Sequence, residues 1–108
     1  MNAVKKLILR ILRLQPGNCF SEQQILDAIK ELQQLEGKSS NIEIGMIAKA
    51  CNALMYDNFL FSVYLGDHAP YRERLIKRYA ITKKGLDYIN KKHPLFVAIE
   101  PETQNDSL

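Results

Sequence analysis

At 108 residues, with 46% hydrophobic and 25% charged residues, the chain has the size and composition of one soluble globular domain that closes its own core. Its two cysteines, Cys19 and Cys51, stand in no CxxC or Cys/His spacing, which excludes a disulfide framework and a zinc ribbon and reads as small apolar residues in a reduced cytoplasmic protein. The net charge is a mild +3 but is unevenly spread: residues 1–20 hold four cations and no acid, 21–59 three cations and six acids, 60–93 eight cations and three acids, and 94–108 three acids and no cation.

The first element is a helix over residues 2–14, in which Val4, Leu7, Ile8, Ile11 and Leu12 recur at helical spacing while Lys5, Lys6, Arg10 and Arg13 fall mostly off the stripe. Arg10 and Arg13 interrupt the apolar run, so it is neither a signal-peptide core nor long enough to span a bilayer. An interfacial membrane helix is conceivable for so basic a segment, but a core helix with a basic outer face is the reading adopted. "QPGN" then stops it.

A second helix opens at "SEQQ", where Ser21 and Gln24 have the spacing of a capping box and Phe20 is placed to staple onto Ile25. Ile25, Leu26, Ile29 and Leu32 form its buried stripe, and it fades before Gly37. Ser39, Ser40 and Asn41 are cap candidates for a third helix over 42–56. Its apolar face is Ile44, Ile47, Ala48, Cys51, Leu54 and Met55, and its outward positions are Ile42, Glu43, Met46, Lys49, Asn52 and Ala53.

"FLFSVYL" (59–65) and "LIKRYAI" (75–81) are dense in aromatic and β-branched residues and read as two strands joined by the loop "GDHAPYRER". Thr82 then caps a fourth helix, "KKGLDYINKK", which places Leu86 and Ile89 toward the core and ends before Pro94. "LFVAI" (95–99) has the composition of a short extra strand, and the rest is polar, acidic and expected to be disordered. The division expected is a domain over 1–93 and a partly disordered tail over 94–108.

A two-stranded hairpin is not stable alone. Three helices, a hairpin packed on them and a closing helix make an α+β layout, that of a winged helix-turn-helix. "NIEIGMIAKACNALMYDNFLF" resembles a recognition helix running into a wing strand, and "RYAITKKGLDYI" is similar to a "Y-x-[LI]-T-x-x-G" segment, matched by Tyr79, Ile81, Thr82 and Gly85. On these two stretches the chain resembles the PadR-like and MarR-like winged-helix transcription regulators over residues 3–92. The resemblance implies a small cytoplasmic regulator that binds double-stranded DNA, as a homodimer on a two-fold site, without a cofactor.

The residues that could carry such binding are a basic wing, with Arg72 and Arg74 in its tip and Lys77 and Arg78 on its returning strand. Ser39, Ser40 and Asn41, at the start of helix three, could place a phosphate on backbone donors, and Lys49 and Asn52 could meet base edges. Lys84, in the first turn of the last helix, opposes the helix dipole and could contact a phosphate. The presumed recognition helix lies in the acid-rich middle of the chain, whereas DNA-binding surfaces are normally positive. The alternative is therefore a winged-helix protein-interaction module that docks through that middle segment. His68 and His93 have no ligand-like neighbours, and the sequence holds no Ser/His/Asp grouping or phosphate-cradling loop, so neither a metal site nor an enzyme is expected.

Overall fold

The computed structural model describes residues 1–68 and 73–94, the side chains of 66–68 and 73–75 excepted. Its elements are α1 (Ala3–Leu12), β1 (Phe20–Ser21), α2 (Glu22–Leu35), α3 (Ile44–Tyr56), β2 (Leu60–His68), β3 (Glu73–Ile81) and α4 (Lys83–Lys92). The expected α+β winged helix is present: a helical layer, a wing hairpin and a closing helix. The expected strand at 95–99 and the tail to 108 lie outside the described residues.

The capping signals act as the sequence implies. Ser21 Oγ accepts from the Gln24 amide while the Gln24 side chain accepts from the Ser21 amide, so two orphan donors of α2 are satisfied together. Thr82 Oγ1 accepts from the Gly85 amide at 3.0 Å and caps α4. Asn2 does the same for α1 through the Lys5 amide at 2.9 Å.

The core gathers Ile8, Leu9 and Leu12 of α1, Ile25, Leu26 and Ile29 of α2, Ile47, Ala50, Cys51 and Leu54 of α3, and Leu60, Tyr79, Ile81 and Ile89. Two expectations shift here. On α1, Leu9 is fully buried with Ile8 and Leu12, whereas Val4, Leu7 and Ile11 are half-buried against the core. On α3, Ile42 and Ile44 exchange roles. The helix starts two residues later than expected, with Glu43 as N-cap and no side-chain cap bond. Ile42 precedes it in extended chain and turns into the core, 8% exposed, while Ile44 is left 41% exposed on the first turn. Ser40 Oγ accepts from the Ile42 amide at 3.3 Å, so this serine supports the linker and does not cap the helix.

The sheet has three antiparallel strands in the order β1-β3-β2, one more than expected. Phe20 pairs with Tyr79 and Ser21 with Arg78, so the two residues that introduce α2 also cover one edge of the wing. The wing is longer than "GDHAPYRER" suggests. Pairing continues out to Asp67 opposite Arg74 and His68 opposite Glu73, which moves Arg74 from the tip onto β3.

One corner fixes the wing to the helices. The Thr82 amide donates to Phe59 O at 3.0 Å, and Thr82 Oγ1 donates to Asn58 O at 2.7 Å. Asn58 has φ 65°, a conformation asparagine tolerates better than most residues. Gly85 lies against the same carbonyl: a Cβ added there would stand 2.3 Å from Phe59 O and 3.0 Å from Ile81 Cγ1. Gly85→Ala should therefore force backbone apart and cost about 3 kcal/mol, against about 1 kcal/mol for Thr82→Ala, which loses the cap. Urea unfolding of the two variants checks the ranking; a Gly85→Ala protein as stable as the parent would contradict this close approach.

Candidate nucleic-acid interface

The core face of α3 leaves its opposite side free. Glu43, Met46, Lys49 and Asn52 are exposed there. Met46, Lys49 and Asn52 follow at intervals of three and share one ridge. Among the described residues, no hydrogen bond or ion pair engages the side chain of Lys49 or Asn52.

The ridge is flanked by two depressions. One, of about 310 Å³, lies toward the start of α1 and is lined by Asn2 and Lys5 with Met46 and Lys49 of α3. The other, of about 380 Å³, is lined by Ser21, Glu22 and Gln23 at the start of α2, Ile44 of α3, and Ile76 and Lys77 of the wing. Each depression thus holds at least one lysine. A helix about 10–12 Å across, standing between a trough with Lys5 and Lys49 and a trough with Lys77 beside Glu22, has a width that fits a major groove about 12 Å wide bordered by two phosphate chains.

Of the expected contact residues, Lys49 lines the first depression, Lys77 the second, and Asn52 stands exposed on the ridge. Lys77 Nζ lies 5.4 Å from the Tyr79 ring centroid, which holds the ammonium over an aromatic face. The others separate. Ser39, Ser40 and Asn41 lie in the linker ahead of Glu43, so they do not form a phosphate cradle on the first turn of α3; an acid occupies the cap instead. Arg78 Nη1 donates to Gln24 Oε1 at 3.0 Å and so is tied to the capping box of α2. Lys84 Nζ donates to Asp57 O at 2.9 Å and lies 5.1 Å from the Phe59 ring centroid, closing the end of α3. Arg72 lies outside the described residues, and of Arg74 only the backbone placement on β3 is described.

Lys5 and Ile44 were not singled out as contact residues by their sequence context, and Met46 was placed only as an outward residue of helix three that suits a protein-docking surface. The outward positions of α1 were legible, but nothing local says that its start lies beside α3.

The wing is coupled to α2 through Tyr79. Its ring is fully buried, and its hydroxyl donates to Glu22 Oε2 at 2.8 Å. Burial, then the bond to Glu22, pushes the phenol well above its ordinary 10.0. Burial likewise pushes the Cys51 thiol up to about 12, which leaves it an inert core residue. No group of three His, Cys, Asp or Glu side chains that could hold a metal occurs among the described residues.

The fold is that of PadR-family transcription regulators. A PadR family transcription regulator from hypervirulent Clostridium difficile R20291 superposes with a TM-score of 0.59 at 20% identity, over 84% of this chain and 83% of that one. A PadR-like transcriptional regulator from Bacillus cereus strain ATCC 14579 gives 0.58 at 15% identity, over 81% and 74%. Bacillus subtilis PadR, in a structure of its complex with operator DNA, gives 0.62 at 17% identity and covers 99% of this chain, which spans 52% of that one. No family model matches the chain, and no curated protein matches it.

In this winged helix the Tyr79 hydroxyl should act as an alkaline latch. Its folded pKa is raised, so the folded state holds the proton more tightly than the unfolded chain does. The stabilisation is complete below about pH 10 and falls as pH rises above it, because the unfolded state then binds fewer protons. Tyr79→Phe should cost about 1–2 kcal/mol at pH 7 and flatten the fall above pH 10, measured by urea unfolding from pH 7 to 11. An unchanged alkaline slope in the variant would remove Tyr79 as its source.

Proposed function

We propose that the chain is a transcription regulator that binds duplex DNA by laying α3 in the major groove with the wing along the flanking phosphates. The observation that carries this is the α3 ridge with Lys49 and Asn52 unengaged, set between troughs that hold Lys5 and Lys77. The operator complex of the Bacillus subtilis PadR, a protein of the same fold, supports it. Lys49 and Asn52 meet base edges, Lys5 and Lys77 meet phosphates, and Arg72 and Arg74 extend the phosphate contacts along the wing. Ser39, Ser40 and Asn41 are at most peripheral, and Arg78 and Lys84 act by holding the fold. The role is binding and not catalysis, and the compartment is the cytoplasm; no helix among the described residues is long and apolar enough to cross a membrane.

The regulator acts as a homodimer. The support is an apolar surface between α1 and α2, a groove of about 290 Å³ lined by Ile11, Leu14, Phe20, Leu32 and Leu35, in which Leu14 is 64% and Leu35 82% exposed. The apolar sequence of residues 95–99, which follows α4, offers further apolar surface for association.

A second reading, a protein-docking module, rests on the exposure of Ile44 and Met46 on the two flanks of the α3 ridge. Titrations of duplex DNA at several salt concentrations separate the two. Lys5→Ala and Lys77→Ala should each weaken binding to all sequences alike and reduce the slope of log affinity against log salt by about 0.9. Asn52→Ala should instead alter preference among sequences. A Lys5/Lys77 double variant that stays folded and keeps the parent slope would remove the flanking contacts from the interface. If the parent shifts no duplex even at low salt, the docking reading takes over.

Light scattering tests assembly. The parent should have the mass of a dimer, and a chain ended after Pro94 should lose it while keeping its helicity. A monomeric parent at high micromolar concentration would refute the dimer.

A further inference from the structure

The leading turn of α3 carries an anomaly that the fold does not explain. From Ile44 to Tyr56 the helix has a single charged residue, Lys49. Its core face is complete with Ile47, Ala50, Cys51 and Leu54. Yet Ile44 and Met46 stand outward, 41% and 44% exposed. Nothing in the packing asks for large apolar side chains at those two positions. Gly45 between them is similarly unexplained: a Cβ there would meet nothing within 4 Å, and glycine inside a helix is less stable than alanine. It leaves the backbone bare between two apolar side chains, which lets that turn approach a surface closely.

If α3 lies in a major groove, the proposed function on which this inference rests, the chemistry of the groove restricts what such a turn can read. Guanine, cytosine and adenine show donors and acceptors there. The one apolar group is the C5-methyl of thymine. Ile44 and Met46 have neither a donor nor a strong acceptor to offer, so a polar base edge opposite them would be desolvated without compensation. Asn52, on the ridge with Met46, is suited to the N6/N7 edge of adenine. Met46 and Asn52 are six residues apart, about 9 Å along the helix, which is the rise of two to three base pairs. Both ends of the ridge therefore select A·T pairs.

We propose that Ile44 and Met46 are specificity residues that read thymine methyl groups, so that each half-site is A·T-rich where α3 crosses it.

The test uses the full chain and duplexes enriched by it from a random-sequence pool. The enriched site should be A·T-rich at its centre. Replacing individual thymines with deoxyuridine keeps the base pair and removes only the methyl. At the contacted positions this should weaken binding about fourfold per methyl, as expected for losing one buried methyl-sized group. Ile44→Ala and Met46→Ala, which leave the core untouched, should bring the thymine-to-uracil ratio at those positions to about one, with an unchanged circular dichroism spectrum. Asn52→Ala should lower affinity and keep the ratio.

A G·C-centred site, or full affinity for every uracil-substituted duplex, overturns the inference and leaves DNA binding standing. A ratio that persists in the Ile44/Met46 double variant also overturns it, because the methyl would then act through duplex shape. Failure of the parent to bind any duplex at low salt defeats the proposed function itself, and is distinguishable because no ratio is then measurable.

Discussion

The fold depends on one corner, where the Thr82 backbone and hydroxyl bond to Phe59 O and Asn58 O. The end of α3, the start of β2, the end of β3 and the start of α4 all meet there. The Thr82 hydroxyl both donates to Asn58 O and accepts from the Gly85 amide, using its donor and an acceptor lone pair together. Gly85 allows the approach, the stacked rings of Phe59 and Tyr88, 5.0 Å apart, cover it, and Lys84 ties it to Asp57 O. Because both wing strands begin or end at this point, the direction of the wing relative to α3 is set by backbone contacts. Side-chain packing alone would leave that direction softer.

The same geometry decides which cations remain available. Arg10 pairs with Glu36 at 3.0 Å, and Lys83 with Asp87 at 3.0 Å. Arg13 donates to Ile89 O, Asn90 Oδ1 and His93 O at the end of α4, where a positive charge also meets the negative end of the helix dipole. Arg78 and Lys84 are engaged with Gln24 and Asp57. Much of the basic excess in residues 1–20 and 60–93 thus holds elements together. Lys5, Lys49 and Lys77 are left around one face of α3, although α3 belongs to the acid-rich middle of the chain. Linear charge bookkeeping and surface chemistry diverge because burial and pairing act on individual groups.

What could be read from the sequence follows the range of the interaction. Ser21 with Gln24, and Thr82 with Gly85, are local bonds three residues apart, and the sequence is enough to find them. The winged-helix order was legible because helical and strand periodicities differ over ten or more residues. The two-residue β1 was not, since no periodicity exists at that length and its pairing partner is Tyr79, far along the chain. Ile42 and Ile44 exchanged roles because both fit an apolar stripe when the helix start is uncertain by two residues. The absence of a strong cap signal at Glu43 is why that start was uncertain. Lys84 looked free for a phosphate because its partner is a backbone carbonyl, which no sequence pattern marks. Lys5 was missed for the converse reason: its neighbours Met46 and Lys49 are brought to it only by the packing of α1 on α3.

The sparse charge of α3 has a consequence for how affinity and discrimination divide on the proposed reading. Phosphate contacts supply binding that is indifferent to sequence, and this chain offers few per domain. Its affinity for arbitrary DNA is then low, and short-range contacts from Ile44, Met46 and Asn52 make up a larger share of what remains. Such a domain is selective but weak. Two copies held on one duplex correct the weakness without adding charge, since the second domain binds at a high effective concentration once the first is engaged. On this reading the exposed apolar surface of α1 and α2 and the sparsely charged ridge of α3 are one design: association would supply the affinity that a more basic recognition helix would have supplied at the expense of discrimination.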